Sequence, residues 1–299
     1  MTPSPPRERL VDYAFRVAWA ITRHVPEPAA ARVLEGVADR VWRQRGRGVA
    51  QLEANLRRAA PELGPAELRE LSQQALRSYF RYWREVFTLP AWSAARTVDS
   101  VVTTGEPALR AGFDAGGGAI IALPHMANWD HAGAWASLTG MPVSTVAERL
   151  RPESLFDRFV EYRERLGMQV IALSGADNPL VALRAALRAG RLVCLLADRD
   201  LTGNGVDVDL LGEPARLPGG PAALARMTGA PLVALTLTFR GPLLQLDFSE
   251  VIPPRRGRAG LAAMTQDVAD WFGTGIRRSP PDWHMLQPVF RSDVESASR

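Results

Sequence analysis

The chain has 299 residues, of which 46% are hydrophobic, and it carries a formal net charge of +4 at pH 7 and a single cysteine. That is enough apolar material for a sizeable core, and a lone cysteine excludes both a disulfide framework and a cysteine-based metal site. All 36 basic residues are arginine, which excludes a lysine nucleophile, a Schiff base and a lysine-bearing phosphate loop while leaving many planar partners for phosphate or carboxylate.

The opening residues place Pro3, Pro5 and Pro6 ahead of Asp12, Arg16 and Arg23, a pattern unlike an export signal, so the expectation is a protein on the cytoplasmic side. Over residues 9–25, Leu10, Phe15, Val17, Trp19 and Ile21 alternate with Arg16, Arg23 and His24. This is a short amphipathic helix with aromatic anchors, suited either to a membrane surface or to docking on the protein's own core. Further helices are expected over 28–45 and 48–59, and Pro65 opens another that runs towards Phe87 with Tyr79, Phe80, Tyr82 and Trp83 near its end. Residues 1–100 thus read as a helical region.

From Gly105 the periodicity changes. Apolar strands are expected at 119–123, 143–147, 169–173, 192–197, 232–239 and 243–248, alternating with helices at 129–138, 152–166, 178–189 and 221–228. The predicted fold is a single α/β domain with a central mixed, largely parallel sheet flanked by helices, its core over 101–299 and its helical extension over 1–100. The segment 203–220 is glycine-rich and alternates Val206, Asp207, Val208 and Asp209, which predicts a hairpin beside the site. The apolar runs at 192–197 and 231–237 fall far short of the ~20 residues needed to span a bilayer. Cys194 lies inside one of these strands and reads as a core thiol.

In such sheets ligands bind beyond the carboxyl ends of strands. Three polar clusters stand there: His125, then Glu148 with Arg149, then Asp198, Arg199 and Asp200. His125 follows the run Ala119 to Pro124, Asn128 can cap the next helix, and Asp130 falls in its first turn. A loop histidine facing a first-turn aspartate can meet it, one ring nitrogen held by the carboxylate and the other left free as a base. His131, next to Asp130, does not complete a usual zinc spacing with His125, so no metal is expected. The arginines are dispersed and no zinc-finger, basic-zipper or RNA-binding aromatic motif occurs, so nucleic acid is not an expected partner.

The arrangement His, four residues, Asp at His125 to Asp130, set as Pro-His-Met-Ala-Asn-Trp-Asp, resembles the glycerolipid acyltransferase superfamily, in the branch of the bacterial late acyltransferases of lipid A. The runs from Leu196 to Ala222 and from Pro281 to Gln287 look like two further family blocks. With the arginine-rich composition, the chain is most similar to the actinobacterial phosphatidylinositol mannoside acyltransferases, over roughly residues 5–292. One departure concerns the glycerolipid branch, whose Glu-Gly block is replaced by Asp198-Arg199-Asp200, which argues against glycerol 3-phosphate as substrate.

The resemblance implies transfer of a long acyl chain, palmitoyl, from coenzyme A to the 6-hydroxyl of a mannose on phosphatidylinositol mannoside. Acyl-CoA would serve as co-substrate, without any bound cofactor, at the cytoplasmic face of the plasma membrane. His125 and Asp130 are then the expected catalytic pair. Glu148, Arg149 and Arg163 are expected to bind the sugar or phosphate head. Asp198 and Asp200 accept mannose hydroxyls or orient His125, with Arg199 pairing to them. His284 reads as a packing or hydrogen-bonding residue, and the absence of a Gly-x-Ser-x-Gly elbow argues against an acyl-serine route. A hydrolase using the same dyad and a non-catalytic lipid-binding protein are the competing readings.

Overall fold

A computed structural model describes residues 25–147, 153–173, 178–200 and 203–297. Residues 9–24 of the expected amphipathic helix, and Glu148 and Arg149, lie outside these residues. Three helices come first: α1 (Glu27–Arg43), α2 (Arg47–Ala59) and α3 (Pro65–Thr88). Each is amphipathic, and Leu52, Leu56, Leu68 and Leu76 meet in a small apolar cluster between α2 and α3. Asn55 of α2 donates to the carbonyls of Met285 and Gln287 at 2.8 and 3.0 Å, fastening the helical layer to the C-terminal segment. A short helix α4 (Ala94–Asp99) follows, capped by Ser93.

The sheet begins earlier than the apolar periodicity predicts. Strand β1 (Val101–Thr104) and helix α5 (Glu106–Gly112) precede the first long apolar run. β1 is four residues at the sheet edge, only partly buried, and its Val-Val-Thr-Thr sequence has no apolar alternation to announce it. Then come β2 (Ala119–Leu123), α6 (Trp129–Leu138), β3 (Val143–Ala147), α7 (Glu153–Arg165), β4 (Gln169–Ala172), α8 (Pro179–Arg188) and β5 (Leu192–Leu196). The hairpin β6 (Val206–Leu210) and β7 (Glu213–Leu217) stands apart as a two-stranded antiparallel sheet. Helix α9 (Gly220–Thr228), strands β8 (Leu232–Arg240) and β9 (Leu243–Phe248), helix α10 (Gly257–Arg278) and helix α11 (Arg291–Ala297) complete the chain.

The seven-stranded sheet has the order β1-β9-β8-β2-β5-β3-β4. β8, β2, β5, β3 and β4 run parallel, whereas β9 is antiparallel to β8 and carries β1 with it. This is the mixed, largely parallel sheet expected. β2 is buried at all five positions because it lies in the middle of the sheet, which is why its sequence is a continuous apolar run rather than an alternation. Helix α8 lies against β5, α9 against β2 and α10 against β8. No described helix is long and apolar enough to cross a membrane.

Candidate active site

The register of two neighbouring strands places the central residues. β2 and β5 pair in parallel with Leu123 opposite Leu196, and the Ala197 amide continues the ladder by donating to the Leu123 carbonyl at 2.9 Å. His125 and Asp198 each stand two residues past those paired ends, so they meet at the carboxyl edge of the sheet. His125 Nδ1 lies 2.6 Å from Asp198 Oδ1, and the His125 amide donates to Asp198 Oδ2 at 2.9 Å. The indole of Trp283 donates to the same Oδ2 at 3.0 Å. With Nδ1 donating to the carboxylate, Nε2 is the unprotonated nitrogen of the neutral ring.

Asp198 is fully buried while the His125 side chain keeps 30% of its accessibility. Burial by itself raises a carboxyl pKa, but the facing His125 ring and the three donors outweigh it and hold Asp198 below the usual carboxylate range. The site therefore has a buried anion behind an imidazole whose other face is open. The loop between β2 and α6 is pinned from the far side as well. His284 donates its amide to the His125 carbonyl at 2.8 Å, and Ala127, at a φ of 44°, donates to the Asp282 carbonyl at 2.9 Å.

In place of the expected His125–Asp130 pair, Asp130 turns the other way. Its Oδ1 accepts from Arg163 Nε at 2.7 Å and its Oδ2 from the Tyr82 hydroxyl at 3.0 Å. The reason is electrostatic: Asp130 is fully buried, and a buried carboxylate needs a charged or hydrogen-bonding partner at this range, which Arg163 and Tyr82 supply. Asp130 still belongs to the site, through Tyr82. That ring stacks on Trp129 at 4.1 Å, and Trp129 meets His125 edge to face at 5.3 Å. Asn128 caps α6 by accepting from the His131 amide at 2.9 Å while donating to buried Glu85 at 2.8 Å.

The remaining predicted residues divide. Arg163 lines the site as a partner of Asp130. Asp200 accepts from the Gly203 and Gly205 amides at 3.2 and 2.6 Å, so it shapes the loop leading to the hairpin rather than holding His125. Arg199 is half-buried beside Asp198. His131 points away, its Nε2 2.9 Å from the Thr97 carbonyl, and burial holds its ring below the usual imidazole range. Among the described residues no three His, Cys, Asp or Glu side chains are placed to hold a metal ion.

His284 is buried against Tyr79 and Tyr82, with Nε2 2.9 Å from Ser78 Oγ. Ser78 in turn donates to Asp282 at 2.7 Å. Burial and the neighbouring His125 push the His284 pKa down to about 3, so its ring is neutral. Neither Ser78 nor Trp283 carries a sequence signal for this role. Trp283 does lie in the run from Pro281 to Gln287 that resembles a family block, whereas Ser78 stands on an aromatic-rich helix with no motif to mark it.

Between the sheet and α6 lies an apolar cleft, lined by Trp129, Gly133, Trp135, Met168, Leu246 and Phe248 among others, with Asp130 and Arg163 as its charged groups. Cys194 also lines it, and burial pushes that thiol up to about 12, which fits a wall residue rather than a nucleophile.

Residues 5–292 match the family described as bacterial lipid A biosynthesis acyltransferase. The chain is similar to the phosphatidylinositol mannoside acyltransferase of Mycobacterium tuberculosis, with 42% identity covering 99% of this chain and 95% of the relative. It is also similar to that of Mycolicibacterium smegmatis, with 41% identity covering 97% and 95% of the two chains. With a family match across nearly the whole length, the chain belongs to the bacterial lipid A biosynthesis acyltransferase family.

Proposed function

We propose that the protein moves a long acyl chain, palmitoyl, from its coenzyme A thioester to the 6-hydroxyl of a mannose on phosphatidylinositol mannoside, at the cytoplasmic face of the membrane. The acceptor rests on the names of the two mycobacterial relatives. The observation that carries the chemistry is the 2.6 Å pair of His125 and buried Asp198 at the carboxyl edge of the sheet.

A sugar hydroxyl is a poor nucleophile at neutral pH. His125 Nε2 takes its proton as the oxygen attacks the thioester carbonyl, and Asp198 holds the ring in the working tautomer and stabilises the imidazolium. The imidazolium then returns the proton to the departing thiolate, so no covalent acyl-enzyme is needed. Asp130 acts one step back, fixing Tyr82 and through it Trp129. The acyl chain lies in the cleft, where each buried methylene contributes about 0.8 kcal/mol. Glu148, Arg149 and Arg199 are proposed for the sugar and phosphate head, with the basic balance of the chain and residues 9–25 favouring an anionic lipid surface.

The test is acceptor-specific. With palmitoyl-CoA as donor, phosphatidylinositol dimannoside is expected to be acylated at a mannose 6-hydroxyl, and the acceptor with 6-deoxymannose is expected to remain unmodified. Equal acylation of both acceptors would sink the assignment of the hydroxyl.

A further inference from the structure

A short strap beyond the last strand holds both members of the base. Asp282, Trp283 and His284 run antiparallel to the loop between β2 and α6: Met126 bridges Trp283, the Ala127 amide donates to the Asp282 carbonyl at 2.9 Å and the His284 amide to the His125 carbonyl at 2.8 Å. The loop needs this template, because Ala127 sits at a φ of 44°, a strained conformation for a residue with a Cβ that persists only where its surroundings impose it. The strap is itself anchored. The Asp282 carboxylate accepts from Ser78 of α3, from Ser279 and from the Phe239 amide of β8, while Asn55 of α2 holds the carbonyls of Met285 and Gln287.

The strap reaches Asp198 through one side chain. Fully buried Trp283 donates its indole N–H to Oδ2 at 3.0 Å. The other donors to this carboxylate among the described residues, the amide and Nδ1 of His125, belong to the very residue that Asp198 has to orient. Trp283 is thus the donor that ties the pair to a frame outside it. An apolar ring of the same size would fill the space equally well, so packing alone does not call for the N–H.

We propose that Trp283 is a positioning residue of the reaction: its indole N–H fixes the rotation of the Asp198 carboxylate and, through it, the His125 ring whose Nε2 takes the acceptor proton. This rests on the reading of His125 as the base. Without that donor the carboxylate keeps its charge and its bonds to His125, but carboxylate and ring turn together about their own side-chain bonds. The base remains and its aim is lost. Such a loss falls on the chemical step, where a misplacement of about 1 Å costs up to about 10²-fold in rate, and spares binding of the acyl donor.

The test is Trp283→benzothienylalanine, which keeps the bicyclic ring with sulfur in place of the N–H, beside a ring-fluorinated tryptophan at the same position, which keeps the donor. With palmitoyl-CoA and phosphatidylinositol dimannoside, the benzothienyl protein is expected to lose kcat about 10–100-fold with KM for palmitoyl-CoA within about threefold of wild type, and the fluorinated protein to keep both. In an Asp198→Ala background, where no carboxylate remains to be oriented, the benzothienyl substitution is expected to change kcat by no more than about twofold. A benzothienyl protein with kcat within about threefold of wild type, equal losses in the two analogues, or the same loss in the Asp198→Ala background overturns the proposal. A spectroscopic readout separates it from the function. In protein labelled with ¹⁵N at the histidine rings, the Nδ1–H resonance of His125, identified by its absence from His125→Ala, is expected to be sharp in wild type and to broaden in the benzothienyl protein. An unchanged resonance overturns the positioning role whether or not acyl transfer occurs, and absence of any acyl transfer by the wild-type protein overturns the function beneath it.

Discussion

Replacing Asp198 by Asn is the most discriminating single perturbation of the site, because the structure fixes how the amide must sit. Oδ2 of Asp198 accepts two donors that cannot reverse, the His125 amide at 2.9 Å and the Trp283 indole at 3.0 Å. In Asp198→Asn the carbonyl oxygen takes that place and the NH₂ faces His125 Nδ1. The NH₂ is a donor, so Nδ1 must accept, and the ring proton moves to Nε2, where the base is needed. Flipping the amide to rescue the tautomer strands two buried donors at about 1–3 kcal/mol each. The working tautomer is therefore disfavoured by about 2–6 kcal/mol, and loss of the carboxylate charge adds to this, for a fall in kcat of about 10²–10⁴-fold. The assay is transfer of palmitoyl from palmitoyl-CoA to phosphatidylinositol dimannoside, with ring ¹⁵N correlation spectra of His125 reporting the tautomer and thermal melting reporting the fold. A folded Asp198→Asn protein that keeps kcat within threefold of wild type, or keeps the Nδ1–H tautomer, would refute this reasoning.

Four further outcomes follow from the same geometry. Asp130→Ala leaves the buried Arg163 charge unpaired and is expected to destabilise the protein by about 3–5 kcal/mol, read by denaturant unfolding; a loss under 1 kcal/mol would show that the Asp130–Arg163 pair does not anchor α6. Shortening the acyl chain of the donor from sixteen to twelve carbons is expected to lower kcat/KM about fourfold per methylene, following about 0.8 kcal/mol each, and a flat profile would place the chain outside the cleft. His284 has its pKa lowered to about 3 by burial, so its contribution to stability is complete above the unfolded value near 6.5 and is lost as pH falls from there towards 3, by about 4 kcal/mol in all. Asp282, raised by burial, works in the opposite sense, so the comparison is with His284→Phe, which is expected to lose stability less steeply over that interval; parallel curves would contradict the assignment. Removal of residues 1–25 is expected to weaken binding to anionic liposomes more than it lowers the melting temperature, and unchanged partitioning would reject a membrane role for that segment.

Much of this fold is legible in the sequence because the sheet interior is buried on both faces. Runs such as Ala119 to Leu123 and Leu192 to Leu196, five residues long and bounded by turn residues, read as central strands, and the helices between them carry their own punctuation in Asn128, Asn178 and Gly229, which ends α9 at a φ of 76°. β1 escaped because an edge strand needs no apolar alternation. The site was legible in its members and not in its pairing. His125, Asp130 and Asp198 are all recognisable as polar residues near strand ends, but which aspartate meets His125 depends on β5 lying next to β2. Strand order is set by packing of the whole sheet and leaves no local trace. Nearness in sequence favours Asp130, whereas nearness across the ladder selects Asp198.

In the proposed reaction a His125–Asp198 base transfers an acyl chain to a glycolipid hydroxyl. Its most direct test is purified protein with radiolabelled palmitoyl-CoA and phosphatidylinositol mono- or dimannoside, following labelled glycolipid and free palmitate together, with folded His125→Ala alongside. Labelled glycolipid well in excess of free palmitate, and neither product from the variant, is the expected result; free palmitate as the main product, or a His125→Ala protein with near wild-type turnover, would contradict it.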